Sequence, residues 1–297
     1  MNISQLIVQN KLQLEHGKIE EAQLESELII MHILDLDKSD LLLNPDKNIT
    51  KQQIKINNSI IKKRLKRIPL AYILNYKYFY KSKFFTNESV LIPRQETEIL
   101  VEICSNLIKD ENSNFKILEI GIGSGAITGS LANLFPSQKI EYIATDINVN
   151  SLQIAKNNIL AINKSTKLSL VHNDLLKGIK GSYKLIISNP PYLSSEEMKK
   201  VRTELTFEPK EALFGGEEGH EICENILYQL AESNINFENL ILEINPISIQ
   251  YLVKIIKKLF QNYFKYIIKD FNNQNRFILI TKKEVSQKLN KFNYCPN

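Results

Sequence analysis

Hydrophobic side chains in the first part of the chain recur with the spacing of amphipathic helices. Between residues 20 and 34, apolar side chains fall near one face of a helix and acidic side chains lie on the other. The pattern Thr50-Lys-Gln-Gln53 is that of a capping box, which predicts the start of a further helix. That helix is expected to end at Pro69, because proline cannot continue a helix. The pattern therefore predicts a small helical bundle over residues 1–74.

The hydropathy pattern changes between residues 72 and 90, where aromatic side chains alternate with lysines. Asn87 and Pro93 then interrupt the run. Alternation with a period of two, followed by turn-forming residues, is typical of a β-hairpin. We expect a hairpin linker over residues 75–95 between two domains.

From residue 115 onward, short apolar runs alternate with helical patterns. The strand-like runs are Lys116–Ile120, Ile140–Thr145, Leu168–His172, Tyr183–Ser188 and Leu240–Ile244. Helix-like stretches lie near residues 125–134 and 150–161. This alternation predicts βαβ units and a mostly parallel sheet, in an α/β domain over residues 96–297.

The composition is that of an ordinary globular protein. Its 297 residues are 43% hydrophobic and 24% charged, which is compatible with about two domains. The three cysteines form no CxxC pair and the four histidines have no zinc-ligand spacing, which argues against a disulfide scaffold and a metal site. The chain has no basic-then-apolar leader and no uncharged apolar run of roughly 18 residues. We therefore expect a cytoplasmic protein without membrane attachment.

The net charge of +5 is unevenly distributed along the chain. Residues 51–83 carry ten basic and no acidic side chains, whereas residues 84–253 carry 14 basic and 22 acidic ones. The basic segment is either a docking surface or a solvated helix face. Only five of the 38 cationic residues are arginines, the residue type preferred for bidentate recognition of bases and phosphates. This bias weakens the case for a nucleic-acid substrate.

The first predicted strand of the α/β domain runs into the sequence Glu119-Ile-Gly-Ile-Gly-Ser-Gly125. Glycines let the backbone turn tightly and approach a ligand closely. Asp146 closes the second strand, where its carboxylate could accept hydrogen bonds from both hydroxyls of a ribose. The pattern predicts a nucleoside-containing cofactor at the carboxyl ends of the strands. Alone, it is also compatible with a dinucleotide fingerprint or with a simple turn into a helix.

Two further groups of charged residues leave alternatives open. Asp174, after the third strand, could accept from an adenine amino group or could be a solvated loop acid. Arg94, beside Glu96 and Glu98, could line the cofactor cleft or form an exposed ion network.

The sequence Asn189-Pro-Pro-Tyr192 after the fourth strand distinguishes between cofactors. An amide or exocyclic amine nitrogen is a poor nucleophile, so a site that methylates it must hold its hydrogens and leave the lone pair directed at the methyl donor. The Asn189 side-chain oxygen and the Pro190 carbonyl could accept those hydrogens. Pro191 restricts the backbone further, and Tyr192 offers a flat wall. Hydride transfer has no use for this arrangement, so the pattern favours methyl transfer.

Taken together, these motifs resemble those of class I S-adenosylmethionine-dependent methyltransferases with an NPPY motif. The resemblance implies a Rossmann-like domain with a mostly parallel seven-stranded sheet, here behind a helical-bundle domain and a β-hairpin. The motif is shared by adenine-N6 DNA methyltransferases, some guanine-N2 rRNA methyltransferases and protein glutamine-N5 methyltransferases.

Other segments resemble the release factor glutamine methyltransferase family in particular. They are Arg67-Ile-Pro-Leu-Ala-Tyr-Ile73, Leu91-Ile-Pro-Arg-Gln-Glu-Thr-Glu98, Phe207-Glu-Pro209, Ala212-Leu213 and Asn275-Arg-Phe277. Enzymes that methylate a ribosomal-protein glutamine have Ser-Pro where Glu96 to Glu98 stand here. The resemblance implies that the acceptor is the glutamine of the Gly-Gly-Gln motif of peptide chain release factors, and that the helical domain helps to hold this partner. We expect a monomer.

The resemblance also implies roles for individual residues. Gly121, Ile122, Gly123, Ser124 and Gly125 would contact the methionine part of the cofactor, Asp146 its ribose, and Asp174 and Leu175 its adenine. Asn189, Pro190, Pro191 and Tyr192 would hold the glutamine amide, with Asn189 also bordering the cofactor. The chain departs from the family at three positions: the family usually has Pro at Gln95, Gly at Asn245 and Glu at Asn275.

Two alternatives remain at this stage. The basic segment over residues 51–83 would suit a nucleic-acid methyltransferase. An enzyme that flips a base out of the duplex would, however, need further aromatic and arginine side chains to stack on that base. The second alternative is a binding module that holds cofactor or partner without turnover.

Overall fold

The computed structural model describes residues 1–137 and 139–296, which divide into two compact units. The first unit contains Met1–Tyr76 together with the short segment Arg202–Phe207. The second contains Lys77–Val201 and the chain from Glu208 onward. The return of residues 202–207 to the first unit has no counterpart in the hydropathy pattern.

The first unit is built from five helices. They are α1 (Ile3–His16), α2 (Ala22–Leu34), α3 (Lys38–Leu43), α4 (Lys51–Arg64) and α5 (Leu70–Leu74). The predicted capping box begins α4: the Thr50 hydroxyl accepts from the Gln53 N–H at 3.2 Å, and the Gln53 side chain accepts from the Thr50 N–H at 2.9 Å. The prediction that this helix runs to Pro69 is wrong. The chain leaves the helix after Arg64, Arg67 adopts a left-handed φ of 68°, and Pro69 instead precedes α5.

A buried ion-pair cluster fixes the end of α4. The Arg64 side chain is only 7% exposed; its Nε donates to Glu25 Oε2 at 2.7 Å and its Nη1 to Glu204 Oε1 at 3.1 Å. Arg67 Nη1 donates to the same Glu204 oxygen at 3.1 Å. A buried cation requires such partners. Arg64 therefore belongs to neither a solvated face nor a docking surface, and the cluster holds residues 202–207 in the first unit.

Residues 76–85 form the predicted hairpin, with β1 (Tyr76–Phe79) and β2 (Ser82–Phe85). It is shorter than the expected range 75–95, because residues 86–95 form no strand, and residue 72, where the aromatic pattern starts, lies in α5. Phe79 and Phe84 are buried and meet edge to face, with ring centroids 6.0 Å apart.

The large sheet of the second unit has helices along the chain between its strands. The strands are β3 (Phe115–Ile120), β4 (Ile140–Asp146), β5 (Lys167–His172), β6 (Gly181–Ser188), β7 (Ile235–Glu243), β8 (Phe264–Lys269), β9 (Asn275–Thr281) and β10 (Tyr294–Pro296). The helices are α6 (Thr97–Ile108), α7 (Ala126–Leu134), α8 (Val149–Ile162), α9 (Ser195–Met198), α10 (Glu221–Glu232) and α11 (Ile249–Leu259). The five predicted strands and the two predicted helices are confirmed.

The strand order is β10-β8-β9-β7-β6-β3-β4-β5. Strands β3 to β7 are parallel, whereas β8, β9 and β10 form antiparallel pairs. The α/β fold class is confirmed, but the sheet has eight strands rather than seven. The additional edge strand pairs Tyr294 with Ile268, and the Tyr294 ring packs against Tyr266 with centroids 5.6 Å apart. Three residues are too few to give a recognisable strand pattern.

The chain direction across the sheet reverses beside β3, since β4 and β5 lie on one side and β6 and β7 on the other. Ligands of open α/β sheets bind at the carboxyl ends of the strands at such a point. No helix within the described residues has the length and apolar character that crossing a bilayer requires.

Candidate active site

A cavity of about 350 Å³ lies at the carboxyl ends of β3, β4 and β6. Its volume is in the range of small-molecule sites, roughly 300–1,000 Å³. Nine of the residues predicted to hold cofactor or substrate line it: Gly121, Ile122, Gly123, Ser124, Asp146, Asp174, Leu175, Asn189 and Pro191. Gly125, Pro190 and Tyr192 do not; Gly125 begins α7. The structure thus brings together side chains from four separate motifs.

The glycine-rich loop after β3 turns back over the end of β4. The N–H groups of Gly121 and Ile122 both donate to the Thr145 carbonyl, at 2.9 and 3.0 Å. Gly123 has φ +52°, and a Cβ added there would meet no atom within 4 Å. Its backbone therefore lies open to the cavity and in a conformation that favours glycine.

Asp146 anchors this loop. Its Oδ2 accepts from the Gly123 N–H and its Oδ1 from the Asn148 N–H, both at 2.9 Å. Burial raises the pKa of Asp146, and the two backbone donors oppose that shift. The carboxylate is therefore held in one orientation beside the cavity, with lone pairs left for a ligand hydroxyl.

Asp174 lies both at the cavity and in contact with solvent. The side chain lines the cavity, yet it is exposed and forms an ion pair with Lys177. Leu175 follows with a left-handed φ of 54° and lines the cavity as an apolar neighbour. The turn is held beside β4 by the Asn173 N–H, which donates to the Asp146 carbonyl at 2.9 Å.

Asn189 follows β6 directly, and its amide is already engaged at one end. Its Nδ2 donates to Thr97 Oγ1 at 3.0 Å. The Oδ1 atom is consequently the end of the amide left to accept from a ligand. The sequence did not reveal this contact, although Thr97 lines the cavity and lies in the segment that resembles the family.

Tyr192 is half-buried behind the cavity wall. Burial and the nearby Glu243 carboxyl raise the pKa of Tyr192 to about 12, so its phenol stays neutral near pH 7. The following residue, Leu193, exchanges backbone hydrogen bonds at 2.9 Å with Leu213 and Gly215. Asn245, where the family usually has glycine, donates to Glu197 Oε1 at 3.0 Å and is not among the residues that line the cavity.

Gly215 packs directly against the backbone of the Pro-Pro-Tyr turn. A Cβ at this position would lie 2.6 Å from Tyr192 Cα and 2.7 Å from the Pro191 carbonyl oxygen. We expect Gly215→Ala to displace the turn, lowering the free energy of unfolding by about 1–3 kcal/mol and lowering kcat. Urea titrations and initial rates of the folded variant would measure both.

Gly178→Ala serves as the control for that experiment. Gly178 has φ +73° but no atom within 4 Å of an added Cβ, so the substitution costs conformational energy without a clash. Its kcat should stay at the wild-type value. An unchanged kcat in Gly215→Ala would contradict the expected displacement.

Glu119 is a second residue whose role the sequence did not indicate. It lines the cavity, is only 1% exposed, and its carboxyl accepts from the N–H of Thr128 at 3.1 Å and from the Thr128 hydroxyl. Burial raises the pKa of Glu119 to about 8, and the Thr128 hydrogen bonds oppose this shift. The side chain is therefore largely protonated in the folded protein at neutral pH.

This raised pKa predicts a pH dependence of stability. Between pH 4.5 and about 8, Glu119 ionises in the unfolded chain but keeps its proton in the folded one, so its contribution to stability is lost as pH rises. In Glu119→Gln, the slope with which the unfolding free energy falls with pH should be smaller by up to about 1.4 kcal/mol per pH unit. Urea titrations across this window measure it, with Glu141→Gln, whose side chain is 42% exposed, as control. Equal slopes for all three proteins would contradict the prediction.

Arg94 lines the cavity and pairs with a buried acid rather than with Glu96 or Glu98. Its Nη2 donates to Glu208 Oε1 at 2.6 Å, and Glu208 Oε2 accepts from the Ile92 N–H at 3.0 Å. Glu98 instead accepts from the Tyr80 N–H at 2.8 Å. The first alternative for Arg94, a place in the cleft, therefore describes it, and Glu208 fixes that part of the wall.

Comparisons with known proteins agree with this architecture. The family model "PrmC N-terminal domain" matches residues 5–74, and "Methyltransferase small domain" matches residues 95–219. A crystal structure of a methyltransferase from Pyrococcus furiosus covers 75% of this chain and all of its own, with a TM-score of 0.50 and 18% identity. At that identity the likeness shows the fold alone.

Two relatives in sequence differ in how much of them the chain covers. A bifunctional methyltransferase from Rickettsia bellii is 31% identical over 245 residues, 73% of this chain but only 44% of its own length. The chain thus spans less than half of that protein. A release factor glutamine methyltransferase from Dictyoglomus turgidum is 34% identical over 264 residues, 88% of this chain and 92% of its own length. Because the match extends over nearly the whole of that relative, the chain belongs to the release factor glutamine methyltransferase family.

Proposed function

We propose that this protein transfers a methyl group from S-adenosylmethionine to the side-chain N5 of the glutamine in the Gly-Gly-Gln motif of peptide chain release factors. The observation that carries the proposal is the state of Asn189 on the cavity wall, with Nδ2 bound to Thr97 and Oδ1 left as an acceptor. Family membership supports the same acceptor.

The residues around the cavity fit the cofactor. Asp146 presents a fixed carboxylate for ribose hydroxyls, and the loop at Gly123 leaves room for close approach of the methionine part. The hydroxyl of Thr145, which also lines the cavity, is buried and has no hydrogen-bond partner among the described residues. Leu175 and Asp174 provide an apolar surface and an acceptor for the adenine. When bound, the cofactor supplies an electrophilic methyl group on its sulfonium.

The chain's own contribution is alignment of the acceptor amide. Asn189 Oδ1 and the Pro190 carbonyl accept its two hydrogens, which directs the nitrogen lone pair toward the cofactor cavity. The neutral Tyr192 lies behind the cavity wall, where its ring can support the amide, and it supplies no base. None is needed during transfer, since the methylated nitrogen becomes cationic and loses its proton afterwards. Alignment of this kind is worth at most roughly 7–11 kcal/mol.

The test is incubation of the protein with release factor and S-adenosylmethionine, followed by mass spectrometry of the peptide that carries the Gly-Gly-Gln motif. We expect the mass increase of one methyl group on that glutamine. A release factor with alanine in place of that glutamine is the control and should stay unmodified. Labelled methyl transfer into DNA, rRNA or a ribosomal protein, with none into release factor, would overturn the proposal.

A further inference from the structure

A chain of two hydrogen bonds connects Asn189 to a buried carboxyl group that has no assigned role. Asn189 Nδ2 donates to Thr97 Oγ1 at 3.0 Å, and Thr97 Oγ1 donates to Glu243 Oε2 at 2.8 Å. Thr97 begins α6 and Glu243 ends β7, and they are 4% and 1% exposed. Three elements distant in sequence thus meet at the cavity wall, which Thr97 and Asn189 line and behind which Glu243 is buried.

The ionised carboxylate gives this chain a direction. A carboxylate can only accept hydrogen bonds, so the single hydroxyl proton of Thr97 must point at Glu243. The lone pairs of Thr97 Oγ1 then accept from the Asn189 amide nitrogen. This turns Asn189 Oδ1 toward the cavity, where it can accept from a ligand.

Protonation of Glu243 removes that constraint. A carboxylic acid can donate to Thr97, and the Thr97 hydroxyl can then donate to Asn189 Oδ1. The Asn189 amide would in that case present its NH₂ group to the cavity. An acceptor amide also presents hydrogens there, so donor would face donor and the pair could not bind.

We propose that Thr97 and Glu243 are positioning residues that set which end of the Asn189 amide faces the acceptor, and so restrict the site to nitrogens that carry hydrogens. This inference rests on the proposed function, since it concerns the same acceptor amide. In this proposal both residues act through Asn189.

Burial, partly offset by the charges around Glu243, makes its protonation state responsive near neutral pH. The side chains that act on it are the guanidinium groups of Arg276 and Arg94, which favour the carboxylate, and Glu96, which opposes it. The neutral Tyr192 phenol faces it as well. Burial raises the pKa of Glu243 to about 7, and the Thr97 hydrogen bond opposes this shift. The ionised form of Glu243, which turns Asn189 Oδ1 toward the cavity, therefore becomes more populated as pH rises through neutrality.

Substitutions at Thr97 test the relay, by which we mean the two hydrogen bonds that connect Asn189, Thr97 and Glu243. Thr97→Val keeps the shape but removes the hydroxyl, and should lower kcat about tenfold or more with cofactor affinity retained. Thr97→Ser restores a hydroxyl and should recover most of that loss. Thermal melting of both variants shows whether they are folded.

Glu243→Gln allows a second measurement, the pH dependence of kcat, which would not change if Glu243 had only a structural role. Glutamine can both donate and accept, so the relay loses its fixed direction. Wild-type kcat should rise with pH through about 7, whereas kcat of Glu243→Gln should be low and insensitive to pH in that range.

A spectroscopic measurement separates this inference from the proposed function. The side-chain ¹⁵N–H resonances of Asn189, assigned by their loss in Asn189→Ala, should titrate near neutral pH in the wild type and in Thr97→Ser. They should not titrate in Thr97→Val or Glu243→Gln. Titration in all four proteins, or equal kcat in Thr97→Val and the wild type, overturns the relay. Failure of the wild type to methylate release factor overturns the proposed function and leaves the resonance test standing.

Discussion

Asn189→Ala is expected to abolish most methyl transfer while leaving cofactor binding almost unchanged. The substitution removes the Oδ1 acceptor that we assign to the acceptor amide, and no other side chain described here replaces it. Loss of one positioned hydrogen-bonding group in a reacting site costs about 2.7–4 kcal/mol, or about 10²–10³ in kcat. Single-turnover rates with release factor and calorimetry with S-adenosylmethionine measure the two quantities separately.

Asn157→Ala is a matched control, because Asn157 lies on the exposed face of α8, where its side chain accepts from Gln153 Nε2 at 2.9 Å. Both its rate and its cofactor affinity should equal those of the wild type. If Asn189→Ala weakens cofactor binding as much as it slows transfer, then Asn189 supports the cofactor rather than the acceptor.

Local patterns allowed much of this site to be predicted from the sequence. The glycine-rich loop, Asp146 and the Asn189 to Tyr192 run each follow a strand directly, and parallel strands end at one edge of a sheet. The capping box at Thr50 was equally local, since donor and acceptor are three residues apart. Such features need only short-range spacing to be recognised.

The supporting contacts could not be predicted because they join residues far apart in sequence. Thr97 meets Glu243 across 146 positions, and Arg94 meets Glu208 across 114. Nothing in the residue types marks these pairs, since a threonine at a helix start or a glutamate at a strand end has many possible roles. The tertiary fold determines which acid each residue meets: α6 packs against β7 and brings Thr97 to Glu243, whereas Arg94 and Glu208 both lie outside the helices and strands.

The same reason explains the error at Pro69 and the unexpected place of residues 202–207. Proline is a strong local signal, but the chain leaves α4 earlier, where Arg67 turns to share Glu204 with Arg64. The basic run that contains these arginines reads as uniform along the sequence. In the structure, two of its members are committed to an acid about 140 positions away.

Asp146→Ala is expected to weaken cofactor binding by about a hundredfold or more. The carboxylate accepts from the backbone N–H groups of Gly123 and Asn148 and is the assigned acceptor for the ribose hydroxyls. Hydrogen bonds to charged groups are worth about 1.5–3 kcal/mol each. Because the alanine variant loses both the backbone hydrogen bonds and the contacts with the ribose, its binding free energy should fall by more than one such bond. Asp146→Asn keeps one acceptor oxygen and should fall between alanine and the wild type. Calorimetry with S-adenosylmethionine gives the Kd of each variant.

Asp174→Ala makes the comparison decisive, because it removes the other carboxylate assigned to the cofactor. Asp174 is exposed and already paired with Lys177, so water and the lysine screen any contact it makes. Its loss should raise the Kd by about tenfold at most. Equal losses in the two alanine variants would mean that burial and backbone anchoring do not decide which acid holds the cofactor. A larger rise in Kd for Asp174→Ala would mean that the adenine contact contributes more to binding than the ribose contact. A larger rise for Asp146→Ala, which we expect, means that both the conformation of the glycine-rich loop and the binding of the cofactor depend on Asp146.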